Sequence, residues 1–133
     1  MNNYTDILRE HNLKATPQRL AITDILYKQG HINIESLSEV MIKKFSSISL
    51  ATIYKNINLM LENSLIEEVK IPHAKPVYEL TKEAHSHLVC EECGEIQDIM
   101  INLEKIIEET SKSSTFKIKS SDLALSGLCK NCQ

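Results

Sequence analysis

Residues 49–80 read SLATIYKNINLMLENSLIEEVKIPHAKPVYEL, and the period of the apolar residues changes partway through. Ile53, Ile57, Met60 and Leu61 recur as they do on one face of an α-helix, with Ser49 placed to cap its start and Asn63 near its end. Residues 65–71 and 76–80 then read as two extended segments around the turn Pro72-His73-Ala74-Lys75. A helix that runs directly into a β-hairpin is the unit around which the rest of the chain is placed.

Three further helices are expected upstream. The first covers about Tyr4 to His11, with Ile7 and Leu8 inward. The second starts at Thr16-Pro17, where the threonine hydroxyl can accept from an amide of the first turn and proline has no N–H to leave unpaired. It runs to about Lys28 with Leu20, Ile22, Ile25 and Leu26 inward, and Gly30 follows its end. Asn33 can cap a third, whose Leu37, Val40, Met41 and Phe45 share a face. Three or four short helices followed by a hairpin is the winged-helix order; a small helical bundle with a tail is the rival. Downstream, residues 81–84 form a polar hinge. Two strands, His85 to Cys90 and Glu95 to Ile101, turn about Cys93-Gly94, a helix covers Leu103 to about Ser111, and Phe116 to Leu128 is extended. The expected class is α+β, with an N-terminal domain over 1–80 and a C-terminal α/β domain over 85–133.

Composition narrows the possibilities. The 133 residues are 42% hydrophobic and 25% charged, ordinary values for a globular chain, which excludes disordered and fibrous classes. Only 3 Gly and 3 Pro disfavour a turn-rich all-β fold. No apolar run approaches the roughly 20 residues of a membrane span, and the polar start Met1 to Glu10 is not a leader, so a cytoplasmic location and no membrane partner are expected. The net charge of −3 argues against nucleic acid when taken whole, but it is confined to residues 81–133. Residues 1–80 are balanced, and Lys14, Arg19, Lys43, Lys44 and Lys55 can form a local basic face.

All 4 cysteines fall in two C-x-x-C pairs, Cys90/Cys93 and Cys129/Cys132. Two such turns complete a tetrahedral tetrathiolate site, closed to substrate and suited to structural Zn²⁺. The competing redox motif needs one pair, usually at a helix N-terminus, whereas Cys90 ends a strand. His85 and His87 alternate on one strand face, so both imidazoles can reach one ion. Asp98 on the return strand and Glu79 before the hinge can join them in a harder site that suits Fe²⁺, Mn²⁺ or Zn²⁺. His11 and His73 read as surface residues.

These features together resemble the ferric uptake regulator family of bacterial metal-dependent repressors. The resemblance is carried by Leu13-Lys14-Ala15-Thr16-Pro17-Gln18-Arg19, His31, Ser49-Leu50-Ala51-Thr52-Ile53-Tyr54-Lys55, residues 85–94 (HSHLVCEECG) and the final Cys129-Lys130-Asn131-Cys132, in order over nearly the whole chain. It implies a homodimer with a winged-helix DNA-binding domain and a dimerisation domain stapled by zinc at Cys90, Cys93, Cys129 and Cys132. It further implies a regulatory site for Fe²⁺ or Mn²⁺, with Zn²⁺ able to enter in vitro, at His31, Glu79, His85, His87 and Asp98. For DNA it implies an A·T-rich palindrome, with Tyr54 and Lys55 in the major groove, Lys14 in an adjacent minor groove, and Arg19 and Thr52 at phosphates. Such contacts suit a ring on a thymine methyl, a lysine on guanine and a cation in a narrow groove.

Within that family Asp98 resembles the peroxide-sensing branch, where iron-uptake regulators carry Glu, whereas Glu79 resembles the iron-uptake pattern. Ser86 and Ser121 stand where many members hold an acid and a His, so the family's extra regulatory site is expected to be absent. The sequence is therefore read as a metal-dependent dimeric repressor, not an enzyme, that senses peroxide through iron-catalysed oxidation of its His ligands. The alternative within the family is an iron- or zinc-responsive uptake regulator. A zinc oxidoreductase would need a reactive cysteine outside the four, and none exists. A zinc adaptor that does not bind DNA is the third class.

Overall fold

The computed structural model describes residues 3–133, which divide into two compact units, one up to Lys82 and one from Glu83 to Gln133. The first contains helices α1 (Tyr4–Glu10), α2 (Pro17–Gln29), α3 (Ile34–Lys44) and α4 (Leu50–Glu62), then strands β1 (Ile66–Val69) and β2 (Val77–Leu80). The second contains β3 (Ser86–Cys90), β4 (Ile96–Ile99), α5 (Glu104–Lys112), β5 (Ala124–Gly127) and a final 3-10 turn over Lys130–Cys132. The chain is thus α+β, and its first unit has the winged-helix order. Among the described residues no helix is long and apolar enough to cross a membrane.

In the first unit the helix starts are fixed by side chains. Thr16 Oγ1 accepts from the Arg19 amide at 3.3 Å, Asn33 Oδ1 from Ser36 at 2.8 Å and Ser49 Oγ from Thr52 at 3.1 Å, each satisfying an amide that the helix itself cannot. Gly30 ends α2 at φ +80°, where side-chain-bearing residues are strained although nothing lies within 4 Å of the position a Cβ would take. That turn delivers the next residues to β2, where Ile32 and Tyr78 form a one-residue antiparallel bridge. Leu8, Ile22, Leu26, Leu37, Met41, Ile53, Ile57, Met60 and Ile66 are fully buried in one apolar cluster that draws on α1 to α4 and β1. Helix α4 gives Ile53, Ile57 and Met60 to this core and leaves Leu50, Thr52, Tyr54 and Lys55 exposed.

The second unit is a three-stranded sheet in the order β4-β3-β5, with β3 antiparallel to β4 and parallel to β5. Here the expectation that Phe116 to Leu128 is one extended strand needs correction. Only Ala124–Gly127 pairs, from His87↔Ala124 to Cys90↔Gly127. In this parallel pairing residues 116–122 run past the start of β3 at Ser86, where there is no strand for them to pair with, and an unpaired strand is not stable alone. Helix α5 buries no residue, and Phe116 is 76% exposed.

The two faces of α4 differ in energetic role. Ile57→Ala should cost about 2–5 kcal/mol, because it leaves a cavity in the core. Tyr54→Ala should stay within about 0.5 kcal/mol, as exposed substitutions do. Urea unfolding at one fixed protein concentration measures both; equal losses would make Tyr54 a core aromatic.

Candidate functional site

The four cysteines are brought together from opposite ends of the second unit. Cys90 ends β3, Cys93 follows it on a tight turn with Gly94 at φ +79°, and Cys129 and Cys132 flank the last 3-10 turn. Their sulfurs all lie within 4.8 Å of one another. Cys93 Sγ and Cys129 Sγ are 3.7 Å apart. A regular tetrahedron of Zn–S bonds of ~2.3 Å has S···S edges of about 3.8 Å, so the quartet has the dimensions of a tetrathiolate zinc centre. The spacing is far beyond the ~2.05 Å of a disulfide.

Backbone amides of Cys93 and Cys129 point at Cys90 and lower its thiol to about 6. The Cys129 amide donates to that sulfur at 3.4 Å. Hydrogen bonding with the Cys129 sulfur, and then burial, push Cys132 up to about 12. One sulfur is thus prepared as a thiolate, while Cys93 and Cys132 resist ionising beside it unless a cation joins them.

A second set of ligand-type side chains occurs as pairs, one within each unit. In the first unit Ile32 and Tyr78 exchange main-chain hydrogen bonds, Ile32 N–H to Tyr78 O at 3.1 Å and Tyr78 N–H to Ile32 O at 2.8 Å. In an antiparallel pairing the next residues out, His31 and Glu79, then lie opposite each other on one face with side chains close. His31 Nε2 and Glu79 Oε2 are 2.8 Å apart, and Glu79 is buried. In the second unit His87 is the registered cross-strand partner of Asp98. His87 Nε2 and His85 Nε2 lie 3.5 Å and 3.7 Å from Asp98 Oδ1, and the two rings meet edge to face at 4.6 Å. His85 Nδ1 donates to the Glu83 carbonyl at 2.7 Å, which orients the ring and leaves Nε2 as the nitrogen that faces Asp98. Imidazole and carboxylate donors converging in this way suit a hard to borderline divalent cation.

The predicted nucleic-acid residues divide into two groups. Lys14, Thr52, Tyr54 and Lys55 are exposed, the last three on the outer face of α4. Arg19, expected at a phosphate, is half-buried and bonded within the chain. Its guanidinium turns into the protein, Nε donating to Asn56 Oδ1 at 3.0 Å and Nη1 to the Lys14 carbonyl at 3.1 Å. Asn56 was not singled out from sequence, although an amide between Ile53 and Ile57 on an apolar stripe is a signal that it has a buried partner. His73 is exposed as expected. His11 is only half-buried surface, its ring bonded to the Ile7 carbonyl at 2.8 Å.

The fit of the quartet to zinc gives a direct expectation. Cys90→Ser and Cys132→Ser should each abolish the zinc content of the purified protein and lower the unfolding midpoint of the second unit. Metal analysis and thermal unfolding check this, and a zinc-free variant as stable as the parent would remove the structural role.

Comparison with known proteins agrees with this geometry. The model of the family described as "Ferric uptake regulator family" matches residues 10–126. The ferric uptake regulation protein of Bacillus subtilis is 33% identical, covering 94% of this chain and 89% of its own. The peroxide operon regulator of the same organism is 28% identical over 96% of this chain and 89% of its own. Among solved structures, the Campylobacter jejuni peroxide stress regulator superimposes with a TM-score of 0.73 at 35% identity, covering 98% of this chain and all of that one. The chain belongs to the ferric uptake regulator family, and with it to the transcriptional regulators rather than the enzymes.

Proposed function

We propose that the chain is a cytoplasmic, homodimeric repressor that binds A·T-rich palindromic DNA when Fe²⁺ or Mn²⁺ occupies His31, Glu79, His85, His87 and Asp98, with Zn²⁺ holding Cys90, Cys93, Cys129 and Cys132. The observation that carries this reading is the repetition of one device, a cross-strand His–carboxylate pair, in each of the two units. One ion taking ligands from both pairs would restrict the freedom of the first unit relative to the second. That would favour whichever arrangement presents the α4 helices of a dimer at the spacing of a palindrome. Repression then responds to metal by the difference in metal affinity between the two arrangements.

Dimerisation is supported by the second unit's surface. Met100, Ile106, Phe116, Leu125 and Leu128 are 48–76% exposed. A unit so short, with a helix that buries nothing, needs a metal, a partner or both to be stable. The exposed Thr52, Tyr54 and Lys55 supply the outward face of α4, and Lys14 a cation beside it.

Peroxide sensing is the finer part of the proposal. Bound ferrous iron would supply the electron that cleaves the O–O bond of hydrogen peroxide. The chain would supply an imidazole C–H, of His31, His85 or His87, that gains one oxygen atom as the remainder of the peroxide leaves as water. An oxidised imidazole is a poorer ligand, so metal affinity and repression fall together. The short arm of Asp98 supports this reading. Glu79, buried against His31, supports the second one, an iron- or zinc-responsive uptake regulator without peroxide chemistry.

One experiment tests the regulatory site that both readings share, and a second separates them. His87→Ala should keep its zinc and its dimer but lose Mn²⁺-stimulated binding to a duplex enriched from a random pool, measured by mobility shift; undiminished binding would misplace the regulatory site. Low peroxide applied to the Fe²⁺ form should add oxygen to a peptide containing His31 or to the one containing His85 and His87, with little in the Mn²⁺ form. Peptide mass spectrometry without iron-dependent oxidation, with DNA binding intact, would favour the uptake regulator.

A further inference from the structure

Arg19 lies in the first turn of α2, and its guanidinium joins two segments that are far apart in sequence. On one side it holds the Lys14 carbonyl, which also accepts from the Thr16 amide at 3.0 Å. On the other it holds Asn56 Oδ1 on α4, and the Asn56 amide nitrogen in turn donates to the Thr52 carbonyl at 3.1 Å. Asn56 is buried, so loss of Arg19 takes a partner from a carboxamide oxygen that has little access to solvent. The backbone of Arg19 is committed as well, its amide to Thr16 Oγ1 and its carbonyl to the Thr23 hydroxyl at 2.8 Å. The side chain is therefore held at its base and at two of its nitrogens.

We infer that Arg19 is a positioning residue for DNA recognition: with Asn56 it sets the distance between Lys14 and the outer face of α4, and so the register in which two neighbouring grooves are read. This rests on the DNA-binding reading above and goes beyond it. Lys14 sits on a loop, and a loop lysine by itself has no fixed relation to Tyr54 and Lys55. The chain Lys14 carbonyl, Arg19 guanidinium, Asn56 carboxamide, Thr52 carbonyl supplies that relation through three hydrogen bonds. Arginine suits this task because its planar fork donates in two directions at once, which a lysine ammonium on a flexible stem does not reproduce. A phosphate contact from the same group would add affinity on any sequence. A register device adds discrimination instead.

The test uses the full-length, zinc-containing protein with Mn²⁺ and a duplex enriched by the wild type from a random pool, against a scrambled duplex of equal length. Arg19→Lys and Asn56→Ala are each expected to lower the ratio of the two affinities about tenfold. Their double variant should be no worse than either single one, and the salt dependence should be unchanged. Pools enriched by Arg19→Lys should keep the core half-sites but lose a fixed offset to the flanking A·T segment, a readout that simple loss of stability does not move. If Asn56→Ala fails to fold, Arg19→Lys carries the test alone. Wild-type discrimination in Arg19→Lys would overturn the inference. So would equal weakening on both duplexes in Arg19→Gln, with a shallower salt dependence, which would make Arg19 a phosphate contact. Both of those results leave DNA binding itself standing; failure of the wild type to enrich any duplex would remove the DNA-binding reading and the inference with it.

Discussion

Antiparallel pairing places residues opposite one another in a fixed register, and in this chain it twice sets an imidazole against a carboxylate. His87 faces Asp98 because β3 and β4 are in register there, and His31 faces Glu79 because Ile32 and Tyr78 form a bridge. Main-chain hydrogen bonds therefore do the work of pre-organisation, so that the proposed binding of a cation would cost these side chains little freedom. Gly30 serves the same end: its positive φ ends α2, and His31 and the bridged Ile32 follow it directly.

The two units reach stability by different routes. The first closes an apolar core from four helices and a strand with capped helix starts, and among the described residues Glu79 is its one buried carboxylate, on β2 beside His31. The second has a narrow sheet, a helix with no buried residue and large apolar side chains on its surface. Its deficit in apolar burial is met at one end by four sulfurs gathered for a cation, a cross-link between the end of β3 and the end of the chain that constrains far more chain than a local contact does. The opposed shifts of Cys90 and Cys132 express the same constraint, since a thiolate can be stabilised by amides one at a time but four require a positive charge among them.

Local rules made most of the fold legible in the sequence. Thr16, Asn33 and Ser49 cap as their residue types suggest, the α4 stripe is buried as its period suggests, and the paired C-x-x-C turns converge as their spacing suggests. What stayed hidden depends on pairings without a local signature. A single bridged residue such as Ile32 has no strand pattern around it, so the partnership of His31 and Glu79 came from family resemblance and not from periodicity. The segment after α5 has a strand's composition, but strand formation is decided by the length of β3, which composition does not contain. Arg19 was legible as a cation and illegible as a clamp, because its partners lie on a loop and on a helix that only the folded chain brings together.

The same contrast separates contact from control on the face formed by Lys14 and α4. Exposed side chains such as Tyr54 and Lys55 are recognisable by what they can touch, and their loss removes a contact. Buried polar groups such as Asn56 are recognisable only by what they hold, and their cost of burial is repaid by a defined geometry of the groups around them. A helix packed solely by Ile53, Ile57 and Met60 would be held by non-directional contacts, which tolerate small rotations and slides. One directional bond from that helix to the α2 side chain, and from there to the Lys14 backbone, restricts that freedom between α4 and the loop that carries Lys14, the two elements proposed to read DNA together.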